Sequence, residues 1–188
     1  MKKSFRILCA AVALAAIVPA ASATVLTFDD IGADGLIAAN YGGLDWSQGD
    51  WTAYSLSQDP FTPHSGTFRA TVGFGDSDAN TAIGFGANTT FQGAWFSGFT
   101  DAPVTFEMFY QGNLVATSAT LDPSATPTFL ASGYDGLVDK ILISSPNQSD
   151  YTIDDLTFTQ AVPEPQTYAL MLAGLGVVGF IARRRKQA

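Results

Sequence analysis

The chain has 188 residues, with 17 acidic and 9 basic residues and a formal net charge of −8. The bases crowd at the two ends: only Arg69 and Lys140 lie between Thr24 and Val162, against sixteen acids, so that span carries a net charge of −14. Such a span excludes nucleic acid and anionic lipid as partners, because both need clustered basic residues; divalent cations and neutral ligands such as sugars remain open.

The N-terminus opens with Lys2, Lys3 and Arg6, continues through an apolar run from Ile7 to Val18, breaks at Pro19 and reaches Ala21-Ser22-Ala23. A positive start, a short apolar run and a small-residue site predict a cleavable secretory signal peptide over residues 1–23, with Ala21 and Ala23 as the cleavage signature. The run is shorter than the roughly 20 residues a membrane span needs. Cys9, the single cysteine, lies inside it, so the mature protein is expected to hold no disulfide and to rely on its core.

Residues 24–161 show no long helical periodicity. Short alternating runs separated by Gly, Pro, Asn and Asp predict an all-β domain. A first strand is expected over 24–28, with Leu26 and Phe28 on one face. Phe68, Ala70, Val72 and Phe74 alternate through a second, 82–85 reads as a short strand, and Phe91, Trp95 and Phe99 mark another over 89–99. Val104, Phe106, Met108 and Tyr110 then alternate up to Gln111-Gly112-Asn113, where glycine supplies the positive φ of a tight hairpin turn, and 114–121 returns. Strands over 139–144 and 151–160 close the set. In the last of these Tyr151 and Ile153 share one parity and Leu156 and Phe158 the other, so a β-bulge is expected at Asp154-Asp155. Nine or ten short strands predict a two-sheet antiparallel β-sandwich.

Two patterns in this domain suggest binding chemistry. Asp76, Asp78 and Asn80 place oxygens at positions 1, 3 and 5 of a calcium-type loop, but Thr81 and Ala87 stand where an EF-hand needs glycine and glutamate, so only a looser calcium site is open. Asp29-Asp30 and Asp154-Asp155 form a second calcium candidate if the terminal strands meet, since four adjacent carboxylates repel unless a cation or hydrogen bonds intervene. Tyr41, Trp46, Trp51 and Tyr54 in a Gly- and Asp-rich stretch suit sugar stacking, but core packing is the favoured reading of these rings. Catalysis has little basis. His64 is the only histidine, Glu107 is the only glutamate of the domain, and no spacing pairs a base with a nucleophile.

The chain closes with Pro163-Glu164-Pro165, an uncharged stretch from Tyr168 to Ala182, and Arg183-Arg184-Arg185-Lys186. Read physically, the prolines favour an extended, helix-free segment. The apolar stretch is expected to form a marginal transmembrane helix, with the basic cluster on the cytoplasmic side. Residues 162–188 resemble the PEP-CTERM sorting signal of Gram-negative bacteria. The resemblance implies recognition by a membrane enzyme, an exosortase, and delivery to the cell surface in association with extracellular polysaccharide and biofilm. The segments "LTFDD", "GAWFSGF" and "YTIDDLTF" are similar to jelly-roll domains common in such proteins, which implies an architecture like carbohydrate-binding modules. The expectation is therefore an exported, non-enzymatic surface or matrix protein; a carbohydrate-binding module and a secreted hydrolase are the alternatives.

Overall fold

A computed structural model of the chain describes residues 22–73, 80–160 and 165–185. Residues 21–161 form one compact unit. Its strands are β1 Ala23–Leu26, β2 Gly35–Leu36, β3 Leu44–Asp45, β4 Trp51–Tyr54, β5 Arg69–Val72, β6 Ile83–Gly98, β7 Thr105–Tyr110, β8 Asn113–Thr117, β9 Thr128–Ala131, β10 Val138–Ser144 and β11 Tyr151–Gln160. A single 3₁₀ turn occupies Tyr41–Gly43.

The domain is all-β, and every strand pairing is antiparallel. The strands join through hydrogen bonds into one eleven-stranded sheet, with the path β2-β4-β5-β11-β6-β10-β7-β8 and with β1 on β11 and β3 and β9 on β6. The continuity comes from β6, where the sequence suggested two strands. Its first residues pair with β3 and β10, and Thr89 to Gly98 pair with β11, the later part with β9 as well. Exposed Gly86, Ala87 and Asn88 separate the two stretches; these are the polar and small residues that read as a break.

The hairpin is present. Tyr110 pairs with Asn113, so Gln111 (φ 52) and Gly112 (φ 78) form a two-residue turn with both central residues left-handed, the geometry that matches strand twist. The closing bulge is also present. The β6–β11 register shifts between Asp154 and Thr157, and Asp155 takes φ 46. Tyr151, Ile153, Leu156 and Phe158 all reach the core despite their opposite parities. Strands β2, β3, β4 and β9 were not expected; two- to four-residue strands are too short to display a period.

The core is aromatic. Phe91 and Phe106 meet edge-to-face at 4.7 Å, Phe96 packs on Phe106 and Tyr151, and Trp46 meets Trp51 at 5.8 Å. Trp46, Trp51 and Tyr54, set out above as candidate sugar-stacking residues, are only 2–4% exposed. Their indoles are satisfied inside: Trp46 Nε1 donates to the Tyr41 carbonyl at 2.9 Å and Trp51 Nε1 to the Ala82 carbonyl at 3.2 Å. Large rings with an internal partner for the N–H are better placed in the core than in water, so these three are structural. Tyr41 is half-buried against Phe28 and donates to Asp30 Oδ1 at 2.5 Å; burial and that bond push its hydroxyl pKa upward.

The helix α1, Pro165–Arg185, follows separately. Pro165 opens it instead of extending the preceding segment, as suits a first helical position where no N–H is required. Among the described residues no helix is long and apolar enough to cross a membrane. Gly174, Gly176 and Gly179, with Gln166 and Thr167 before them and the arginines after, dilute the apolar run expected to span. The signal segment up to Ala21, together with Asp76, Asp78, Pro163 and Glu164, lies outside the described residues.

Candidate functional site

Strand β11 is buried on both faces from Tyr151 to Leu156. One face meets the core. The other, bearing Thr152 and Asp154, lies under the segment 61–68, "FTPHSGTF". That segment has almost no secondary structure of its own, so its backbone donors need partners from elsewhere. Carboxylates supply them.

Asp154 Oδ2 accepts from the backbone N–H of His64 at 2.7 Å and of Ser65 at 2.9 Å, while its Oδ1 accepts from Asp155 N at 2.7 Å. Asp29 Oδ1 accepts from Thr67 N at 2.7 Å and Phe68 N at 3.0 Å. Asp155 takes the side chains: His64 Nδ1 at 2.5 Å and Ser65 Oγ at 2.7 Å. Ser97 Oγ donates to the Thr62 carbonyl at 2.6 Å and shares a hydrogen bond with Thr152 Oγ1. From below, buried Arg69 donates to the carbonyls of Leu56 and Thr67 and lies 4.0 Å from the Tyr54 ring. The bulge explains why two consecutive aspartates face the same segment: left-handed Asp155 turns its side chain out of strand alternation. Gly66 (φ +50) allows the segment to approach so closely, because a Cβ there would overlap the Asp29 carboxylate.

The terminal strands do meet, as expected, through Leu26 and Leu156. The four aspartates nevertheless do not converge on one point. Asp29, Asp154 and Asp155 bind the 61–68 segment, and Asp30 binds Tyr41. Among the described residues no group of three or more His, Cys, Asp or Glu side chains is placed to hold a metal ion. Hydrogen bonds, the other remedy for carboxylate repulsion, engage all four of them. Asn80, the described member of the other calcium candidate, caps its own loop: its Oδ1 accepts from Ala82 N at 3.0 Å, and its N–H donates to Asp50.

Burial pushes the Asp154 carboxyl pKa up to about 7. The N–H donors of Ser65, Asp155 and His64 oppose that rise, and the neighbouring Asp155 charge reinforces it.

The segment holds His64 flat against Trp95, ring centroids 3.5 Å apart and nearly parallel. Trp95 lies directly across from Phe129 on β9, at 5.7 Å. On the other side Phe61 meets Phe99 edge-to-face at 5.4 Å. Beside Phe61 a cavity of 170 Å³ is lined by Ser57, Gln58, Asp59, Phe61, Thr62 and Pro63. His64, Ser65, Trp95, Phe99 and Phe129 were not foreseen as one group. The parity slip at Asp154-Asp155, and the expectation that Asp29-Asp30 would come near it, were the sequence signals that pointed to this place.

Chemically the cluster positions a loop. Ser65 Oγ donates to Asp155, the acceptor that also holds His64, so serine and histidine are not arranged as nucleophile and base.

The fold and site define a β-domain with a loop-covered outer face, followed by a separate C-terminal helix. Residues 161–186 match the PEP-CTERM protein-sorting motif, so the chain carries that motif at the place expected from Pro163-Glu164-Pro165 and the arginines. No curated protein matches the chain by sequence. Among solved structures, it is similar to two variants of the family 29 carbohydrate-binding module CBM29-2. One matches at 14% identity over 74% of this chain and 93% of that one, TM-score 0.42. The other, complexed with mannohexaose, matches at 15% identity over 75% and 93%, TM-score 0.42. A likeness at this level assigns neither ligand nor activity to this chain.

Proposed function

We propose that this chain is exported, sorted by an exosortase through its C-terminal motif, and delivered to the cell surface or extracellular matrix, where its β-domain serves as a non-catalytic module beside polysaccharide. The observation that carries the reading is the sorting motif at residues 161–186. In this reading Pro163, Glu164 and Pro165 are the recognised segment and Arg183 to Arg185 the basic end. The signal peptide ends at Ala23, and the sheet is a jelly-roll-like sandwich wrapped around its aromatic core. The strongly acidic domain suits solubility outside the cell. A hydrolase is the weaker alternative, because Ser65, His64 and Asp155 form no nucleophile–base pair.

Mass spectrometry of the chain recovered from fractionated cells tests this. The expected product lacks residues 1–23 and is shortened at or after the Pro163–Pro165 segment. Full-length polypeptide in the cytosol, with Met1 and Ala188 intact, would overturn the reading.

A further inference from the structure

The outer face over β6 holds aromatic side chains that the core does not use. Among the described residues of the domain, the two exposed phenylalanines are Phe99, 45% exposed, and Phe129, 38% exposed. Both flank the carboxylate-held segment: Phe129 through Trp95 and His64, Phe99 through Phe61. Trp95 is half-buried, and the His64 side chain keeps a third of its surface open. His64 and the segment that carries it are anchored from behind by hydrogen bonds to the carboxyl groups of Asp29, Asp154 and Asp155.

What sets Phe99 and Phe129 apart from the singly exposed Leu36, Leu56 and Leu114 is the stacked neighbours beside them, and their surroundings restrict the ligand. The adjoining cavity offers Ser57, Gln58, Asp59 and Thr62, side chains that pair with hydroxyl groups, beside the buried Phe61. Rings that cover C–H faces, with a few convergent polar groups beside them, make a site for a polyhydroxylated ligand. Charge narrows it further. Of the two cations between Thr24 and Val162, Arg69 is buried beneath the segment, held by carbonyls, and Lys140 lies over the Phe109 ring. An anionic glycan would meet a domain of charge −14 that has two bases in all, one of them buried.

We infer that the aromatic ledge of Phe129, Trp95 and His64, with Phe99 on the other side of the segment, is a binding site for a neutral polysaccharide. The inference rests on the surface-protein reading above and adds the ligand class and the residues. The rigid backing lowers the ordering cost of binding, since the rings are already in place.

The test is affinity electrophoresis of the mature chain through gels containing soluble β-glucan, galactomannan or dextran, with alginate as the anionic comparison. The expected result is retardation in at least one neutral gel, none in alginate, and a loss of about tenfold or more in affinity for Phe129→Ala and for Phe99→Ala. Both side chains are exposed, so both variants should melt with the wild-type chain; Leu114→Ala, an exposed residue on β8, should bind normally. Retardation equal in wild type, Phe99→Ala and Phe129→Ala would overturn the ledge while leaving polysaccharide association in place. Binding to none of the neutral gels, equal retardation by alginate, or Phe129-dependent self-association in sedimentation would also overturn it. None of these outcomes bears on where the termini are cut, so the sorting proposal stands or falls separately.

Discussion

Asp154 makes the stability of this domain depend on pH in an unusual direction. Its pKa is about 7 in the folded chain against 3.8 for an ordinary aspartate carboxyl. The native state therefore retains a proton that the unfolded chain releases between those two values. Stability must fall as pH rises through that window, because the native state binds more protons than the unfolded one. The contribution is complete below pH 3.8 and gone above about 7. Linkage with these two values gives roughly 2.7 kcal/mol at about pH 5 and about 0.2 kcal/mol at about pH 7.5, a loss of about 2.5 kcal/mol. Asp154 is 3% exposed, so solvent screening reduces this little. Urea denaturation of the wild type and of Asp154→Asn across that range isolates the term, since asparagine keeps the shape and cannot titrate. The wild-type curve should decline relative to the variant by about 1.4 kcal/mol per pH unit near pH 6. Parallel curves for the two proteins would refute the argument, and would mean that the three N–H donors hold the carboxylate charged throughout.

Gly66→Ala should destabilise the domain by about 2–4 kcal/mol, through strain at positive φ and loss of the Asp29 bonds to Thr67 and Phe68; chemical denaturation reads it, and a wild-type midpoint would show that the clamp is idle. Trp51→Ala should cost about 3–5 kcal/mol, as for a buried ring elsewhere; a variant that folds normally and loses only polysaccharide binding would return Trp51 to the ligand site. In a chain carrying Asp76→Asn and Asp78→Asn, millimolar calcium should leave the melting temperature unchanged, because Asp29 and Asp154 already hold N–H donors; a rise of several degrees would show that the terminal-strand acids bind the cation.

Much of the site could be anticipated only in outline. The parity slip in "YTIDDLTF" announced a bulge, and the bulge is what aims Asp154 and Asp155 at one segment. What they would bind was not legible: their partners lie some ninety residues away in sequence, and one carboxylate pair suits a cation or two amides equally. Of the two readings open for the aromatic stretch, core packing holds for Trp46, Trp51 and Tyr54. Tyr41, Trp46, Trp51 and Tyr54 sit among glycines and aspartates, which look like surface, yet their strands fold inward. Trp95 reads as an ordinary strand residue and Phe129 as part of no strand until β9 pairs with β6.

The residues alone determined what local rules control. Period-two alternation made the domain all-β, Gln111-Gly112 made the hairpin, and the ordered features of the tail announced the sorting motif that residues 161–186 match. Tertiary structure decided which face of each strand meets water and which distant donors meet the carboxylates, because both depend on contacts between segments far apart in the chain. It also joined the strands through β6 into one sheet. Cross-strand pairing at long range leaves no mark on the sequence beyond its alternation, so the aromatic ledge became visible only once the sheet had been assembled.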